Sequence, residues 1–138
     1  MQGYAAARNR YLQDAVTTAT PGALLVMLYD RLVLDLERAD IAMRDGKRAE
    51  ASAQLQHAQE IVAELTSTLD VTAWDGAPQL MSIYVYLSGT LIDANIRQDV
   101  DKVAECRSLV GPLRDTWRQV AQGSAAAAAD HLAMTGVA

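Results

Sequence analysis

The 138-residue chain has one cysteine, two histidines, three prolines and no cluster of lysine or arginine. Cys106 has no second thiol to pair with, so no intrachain disulfide and no cysteine zinc site can form. The longest apolar run, residues 23–29, is far below the roughly 20 residues a bilayer span requires. The N-terminus, carrying Arg8, Arg10 and Asp14, lacks the continuous apolar segment of a secretory signal, and a reducing cytoplasm is the expected location. Twelve basic against 17 acidic side chains give a net charge of −5, which lacks the basic footprint that a phosphate backbone demands. Nucleic acid and membrane insertion are both excluded as expectations.

Catalytic patterns are missing as well. The chain contains no Gly-rich phosphate cradle, no zinc spacing, no Gly-x-Ser-x-Gly elbow and no Glu-x-x-His pair of the kind that builds di-iron bundles. No catalytic residue, metal or cofactor is expected, and the protein is not read as an enzyme. Asp99 and Asp101 are better explained as charges at a helix start than as an acid/base couple.

What is present is helical periodicity. Thr20-Pro21 suits a helix start, because Thr caps well and Pro at the first position forfeits no hydrogen bond. Leu25, Leu28, Leu32, Leu36, Ala39 and Met43 then recur at steps of three and four towards Asp45-Gly46. A second helix, residues 47–69, carries Ala51, Leu55, Ala58, Val62, Leu65 and Leu69; a third, residues 78–97, carries Leu80, Ile83, Leu87, Leu91 and Ala94. The fourth follows Asp99, with Val103, Cys106, Val110, Leu113, Trp117 and Val120, and stops at Gly123-Ser124. Four helices of about 22 residues joined by short turns predict an all-α, antiparallel four-helix bundle. The bundle is assigned to residues 20–123, with an N-terminal tail or cap at 1–19 and an alanine-rich tail at 124–138 that extends the last helix, frays or stays disordered. Gly111-Pro112 inside the fourth helix predicts a kink or short break.

Two helices carry more apolar surface than a bundle core uses. On the third, Met81, Val85, Ser88, Ile92 and Ile96 form a second stripe, with Tyr84 counted beside them; on the first, Met27, Leu34 and Ile41 lie off the core side. These residues are the candidate partner-binding surface, read as a groove for an amphipathic helix whose Met-lined walls adapt to the guest. Tyr4, Tyr11, Leu12 and Val16 of the tail are placed in or beside it. The competing readings are a third helix that is simply the most buried member, and self-association as a homodimer that hides the stripe by symmetry. His57 falls on the polar side of the second helix and reads as a solvated histidine; a phosphotransfer role is the alternative, disfavoured by Glu60 and the lack of a basic residue in the next turn.

The stretch Tyr-Leu-Gln-Asp-Ala-Val-Thr-Thr-Ala-Thr-Pro-Gly at residues 11–22, followed by Met27-Leu28-Tyr29-Asp30, resembles the N-terminal signature of the FliS-type flagellin export chaperones. Residues 61–70, 91–99 and 113–119 agree in order and spacing, so the likeness spans about residues 11–122. The resemblance implies a cytoplasmic chaperone that binds the C-terminal region of flagellin one-to-one, blocks premature polymerisation and helps deliver the guest to the flagellar type III export-gate protein. It also implies structural roles for Thr20 and Pro21, core roles for Leu28, Leu65, Leu69 and Trp117, a hydrogen-bonding position at the bundle end for Asn95, and partner contact for Tyr11. The chain departs from that pattern at residues 83–91. Relatives carry a basic stretch there, whereas this chain reads Ile-Tyr-Val-Tyr-Leu-Ser-Gly-Thr-Leu, which flattens and widens the apolar stripe. Gly111-Pro112 and the alanine-rich end are also atypical.

Overall fold

The computed structural model describes the backbone of residues 21–134 and the side chains of residues 22–123. The tail positions Tyr4, Tyr11, Leu12 and Val16 therefore lie outside the described residues. Among the described residues four helices account for the architecture: α1 Pro21–Arg44, α2 Arg48–Thr68, α3 Ala77–Arg97 and α4 Val100–Met134. Each expected helix is found within a few residues of its expected start.

The turns explain the boundaries. After α1 the chain reverses at Gly46, whose φ of +71° is open to glycine and strained for other residues, while the Lys47 amide bonds back to the Ala42 carbonyl at 2.8 Å. Between α2 and α3, Asp70 Oδ1 accepts from the Thr72 amide at 2.9 Å and its hydroxyl at 2.7 Å, bonds that hold the carboxyl below its ordinary range. Gly76 follows, and a Cβ there would lie 2.0 Å from the Trp74 ring, so the indole in this position folds over the bare glycine and would have to swing aside for a larger residue. α3 ends on Gln98 in the left-handed region at φ 51°, with the Asp99 amide reaching back to Ala94 O at 3.0 Å. At this end the Gln98 side-chain amide donates to the Asn95 backbone carbonyl at 2.8 Å and to its side-chain Oδ1 at 3.3 Å.

In α4 the short break offered for Gly111-Pro112 is not found, and of the alternatives for the alanine-rich tail the extended helix is the one observed. Gly111-Pro112 does not interrupt it: a proline frees only the Ser108 carbonyl, and Ser108 is exposed, where water satisfies it. The helix also passes Gly123-Ser124 and runs to Met134, because the following alanines have the highest helix propensity of any residue.

The chain forms two compact units. The larger, Leu28–Arg114, is an antiparallel four-helix bundle in the ring order α1, α2, α3, α4. Its neighbours are identified by their contacts: His57 of α2 meets Asp35 of α1, Arg48 of α2 donates to Ile96 O at the end of α3, Lys102 of α4 pairs with Asp93 of α3, and Arg107 of α4 pairs with Asp40 of α1. α1 and α3 are thus diagonal, and they touch through the centre, where the Tyr29 and Tyr84 hydroxyls share a hydrogen bond of 2.6 Å. Around that pair lie Leu32, Leu36, Leu55, Val62, Leu65, Leu87, Leu91, Val103 and Val110, all fully or nearly fully buried. Cys106 belongs to the same core; burial pushes its thiol up to about 12, so it stays protonated and packs as a small apolar group. Leu69 is half-buried. The smaller unit contains the start of α1 and the later part of α4, where Gly22 faces the Ala121 methyl, Leu25 and Trp117 are half-buried, and Val120 is 51% exposed although its spacing placed it in the core.

Candidate binding surface

α3 is apolar on both sides, and the bundle uses only one. Leu80, Tyr84, Leu87, Leu91 and Ala94 face inward and are buried. On the opposite side Val85 is 64%, Ile92 46% and Ile96 68% exposed, and Gly89 between them has open space where a Cβ would stand. With Tyr86 and Thr90, and with Lys102 from α4, these residues line an open groove of about 490 Å³. Leaving three branched aliphatic side chains in water along one strip of a helix forgoes several kcal/mol of burial, which makes the face a candidate interaction surface.

Charges along the rim are already matched. Asp93 lies between Arg97 Nε at 3.0 Å and Lys102 Nζ at 3.2 Å, so it presents little net charge to a visitor. The Tyr86 hydroxyl donates to Glu105 of α4, an acceptor that holds the phenol above its ordinary range. The groove is therefore an apolar floor with a neutralised border.

Not all expected contact residues belong to this floor. Met81 and Ser88 are half-buried at its edge, on the side away from α4. Tyr84 is a correction: it is 2% exposed, in register with Leu80, Leu87 and Leu91, and its phenol is spent on Tyr29. Burial first, then the Tyr29 hydroxyl, push its ionisation well above the ordinary tyrosine range. The α1 residues are a second correction. Leu34 is half-buried, while Ile41, 62% exposed, lines a different groove of about 320 Å³ with the charged residues Arg38, Asp45, Lys47 and Glu50. Because α1 and α3 are diagonal in the bundle, Ile41 and the α3 stripe do not share one trough. Met27, 36% exposed, belongs to the smaller unit.

The structure also reveals a polar centre that helical periodicity alone does not disclose. Asp35, on the core side of α1, has a fully buried side chain, yet it holds Arg31 Nε at 3.0 Å and His57 Nδ1 across the α1/α2 interface. His57 is consequently not a free solvated residue: its ring is 41% exposed, but one nitrogen clasps α1 to α2. The signal was available in Asp35 itself, a carboxylate sitting between Leu32, Leu36 and Ala39 in the apolar stripe and therefore in need of a cation. Among the described residues no group of three or more potential ligands is placed to hold a metal ion, and no helix is long and apolar enough to cross a membrane.

Comparison with known proteins agrees with this architecture. A family model described as "Flagellar protein FliS" matches residues 4–124. The flagellar secretion chaperone FliS of Bacillus subtilis (strain 168) is 33% identical over 112 residues, covering 81% of this chain and 84% of the relative. Its counterpart in Escherichia coli (strain K12) is 31% identical over 110 residues, covering 78% and 81%. A crystal structure of a bacterial flagellar chaperone superposes with a TM-score of 0.69 over 85% of this chain and 96% of that one; at 18% identity this likeness speaks for the fold. A family match over residues 4–124, with flagellar secretion chaperones 31–33% identical over about four fifths of the chain, places this helical bundle in the FliS family.

Proposed function

We propose that the protein is a cytoplasmic, non-enzymatic export chaperone that binds the C-terminal region of flagellin one-to-one, keeps it from polymerising early and helps present it to the flagellar export-gate protein. The observation that carries this reading is the α3 face: three exposed aliphatic side chains around a bare glycine, with a rim whose charges are already paired. Such a floor suits the apolar side of an amphipathic helix. A segment that orders on binding buries about 1,000–3,000 Å² and gives back roughly 2–5 kcal/mol to ordering, so broad apolar contact has to supply the affinity. Covering the guest's apolar stripe removes the surface through which flagellin copies would pair. No nucleotide is required, since a competing partner or unfolding during export suffices for release.

Co-expression with a flagellin C-terminal fragment, followed by size-exclusion chromatography with light scattering, tests the proposal. The expected product is a single species with the mass of one chain plus one fragment. Separate elution of the two at micromolar concentration would contradict it.

A further inference from the structure

The groove beside Ile41 differs from the α3 face in the state of its charges. Its floor is Ile41, Ala42 and Ala53, and its border carries Arg38, Asp45, Lys47 and Glu50, all four exposed. Between residues 30 and 45 the other charged side chains, Asp30, Arg31, Asp35, Glu37, Asp40 and Arg44, each have an ion-pair partner within 4.0 Å. Arg38 and Asp45 have none among the described residues, and neither have Lys47 and Glu50. The unengaged charges of this stretch are thus gathered around one apolar floor.

Their order along the groove gives it a polarity. Arg38 stands before Ile41 and Asp45 after it, and the Asp45 amide still bonds to the Ile41 carbonyl at 3.0 Å, so helical spacing holds through this stretch. Two turns at a rise of about 1.5 Å per residue set the two charges about 10 Å apart. Lys47 and Glu50 have opposite signs and add no net charge. The groove is therefore positive at one end, negative at the other and apolar between. On the α3 face, by contrast, Asp93 lies between Arg97 and Lys102, and Glu105 accepts from Tyr86, so apolar contact dominates there. Unspent charges at fixed positions select a visitor by where its own charges fall, and a misplaced charge of like sign rejects it.

We propose that the α1/α2 groove is a second docking site, for an amphipathic helix of another protein that carries an acidic residue at i, apolar residues at i+3 and i+4 and a basic residue at i+7. The charges of such a helix span the same two turns, in either direction along the groove. Its carboxylate meets Arg38, its cation meets Asp45, and its apolar residues cover Ile41. The pairs α1/α2 and α3/α4 lie on opposite sides of the ring, so this partner and the guest occupy the chaperone together. The docking half of the inference stands on the groove alone; the joint occupancy rests on the proposed function. A contact of two helical turns lies at the small end of protein interfaces, so the partner is a transient one.

Titration of the full chain with two alanine-based helical peptides, followed at the Ile41 methyls by nuclear magnetic resonance, tests the site. One peptide carries Glu, Leu, Leu and Lys at i, i+3, i+4 and i+7; the other has Lys at both outer positions. The chain has a net charge of −5, so unselective attraction favours the doubly basic peptide. The site requires the reverse: the mixed peptide binds about fivefold tighter, and Arg38→Glu inverts the order. Because the inversion includes a gain of binding, unfolding of the variant cannot produce it. A parent chain that prefers the doubly basic peptide, an Arg38→Glu chain that keeps the parent's order, or Ile41 methyls that respond to neither peptide overturns the site. Repeating the titration on the complex with the flagellin C-terminal fragment separates the two halves. Unchanged affinity for the mixed peptide supports joint occupancy, and its loss assigns the groove to the guest and overturns joint occupancy while the charge selection stands. A fragment that does not bind the chain at all sinks the proposed function and the joint occupancy with it, but not the docking site.

Discussion

His57→Ala is expected to lower the stability of the protein by about 2–3 kcal/mol, several times the effect of an ordinary surface substitution. The reason is its partner. The Asp35 side chain is fully buried, with the Arg31 guanidinium at 3.0 Å and the His57 imidazole as its two side-chain partners. Removing one partner of a buried ion pair costs about 3–5 kcal/mol, because the remaining charge is left desolvated. Here the figure falls towards the lower end, since Arg31 stays in place and the imidazole is 41% exposed, so water enters where the ring was. Asp35→Leu in the same background should return most of the loss: the carboxylate disappears, and Arg31, 47% exposed, solvates itself. Urea unfolding monitored by circular dichroism checks both variants. The midpoint falls and then recovers at unchanged denaturant slope if the clasp behaves as described. A His57→Ala midpoint within error of the parent would show that the imidazole contributes nothing to the α1/α2 interface.

The second large effect concerns binding. Ile92→Asp with Ile96→Asp is expected to weaken the flagellin C-terminal fragment by two orders of magnitude or more, while thermal unfolding stays close to that of the parent. Ile92 is 46% and Ile96 68% exposed, so in the free chain the carboxylates remain in water and stability changes little. Under a docked helix each would lose its hydration without a partner, at about 1–3 kcal/mol apiece on protein scales, and the nearby cations Arg97 and Lys102 are already engaged by Asp93. Isothermal titration calorimetry measures the difference. Unchanged affinity in the double variant would move the guest to another surface, the Ile41 groove being the next candidate.

Much of this architecture was legible in the residues. The steps of three and four through Leu32, Leu36, Leu55, Val62, Leu87, Leu91, Val103 and Val110 mark the sides that are buried, and Pro21, Gly46, Gly76 and Asp99 mark the ends. Periodicity works here because each helix has one continuous core-facing stripe and the connections are short. It fails where a side chain is both apolar and polar. Tyr84 reads as a neighbour of the partner-facing stripe, yet it buries almost completely because its hydroxyl and that of Tyr29 share a hydrogen bond across 55 residues of sequence. His57 fails the same test in the opposite sense: it reads as a solvated polar residue until it meets Asp35. Pairings between helices are not encoded in the spacing along any one of them.

The surplus face shows a further limit. That α3 carries more apolar surface than a core requires follows from its two stripes. Whether α1 and α3 form one trough depends on the order of helices around the bundle, which a linear pattern does not contain. With α1 and α3 on the diagonal, the stripe of Val85, Ile92 and Ile96 stands apart from Ile41, and its neighbour is α4 through Tyr86, Glu105 and Lys102.

The central claim is that the α3/α4 face receives the guest. Methyl-resolved nuclear magnetic resonance with a soluble paramagnetic agent, recorded on the complex with the flagellin C-terminal fragment, addresses it most directly. The account expects the methyls of Val85, Ile92 and Ile96 to be shielded from the agent in the complex while Ile41, 62% exposed in the free chain, remains bleached. Bleached α3 methyls in a fully formed complex, with Ile41 protected instead, would contradict it.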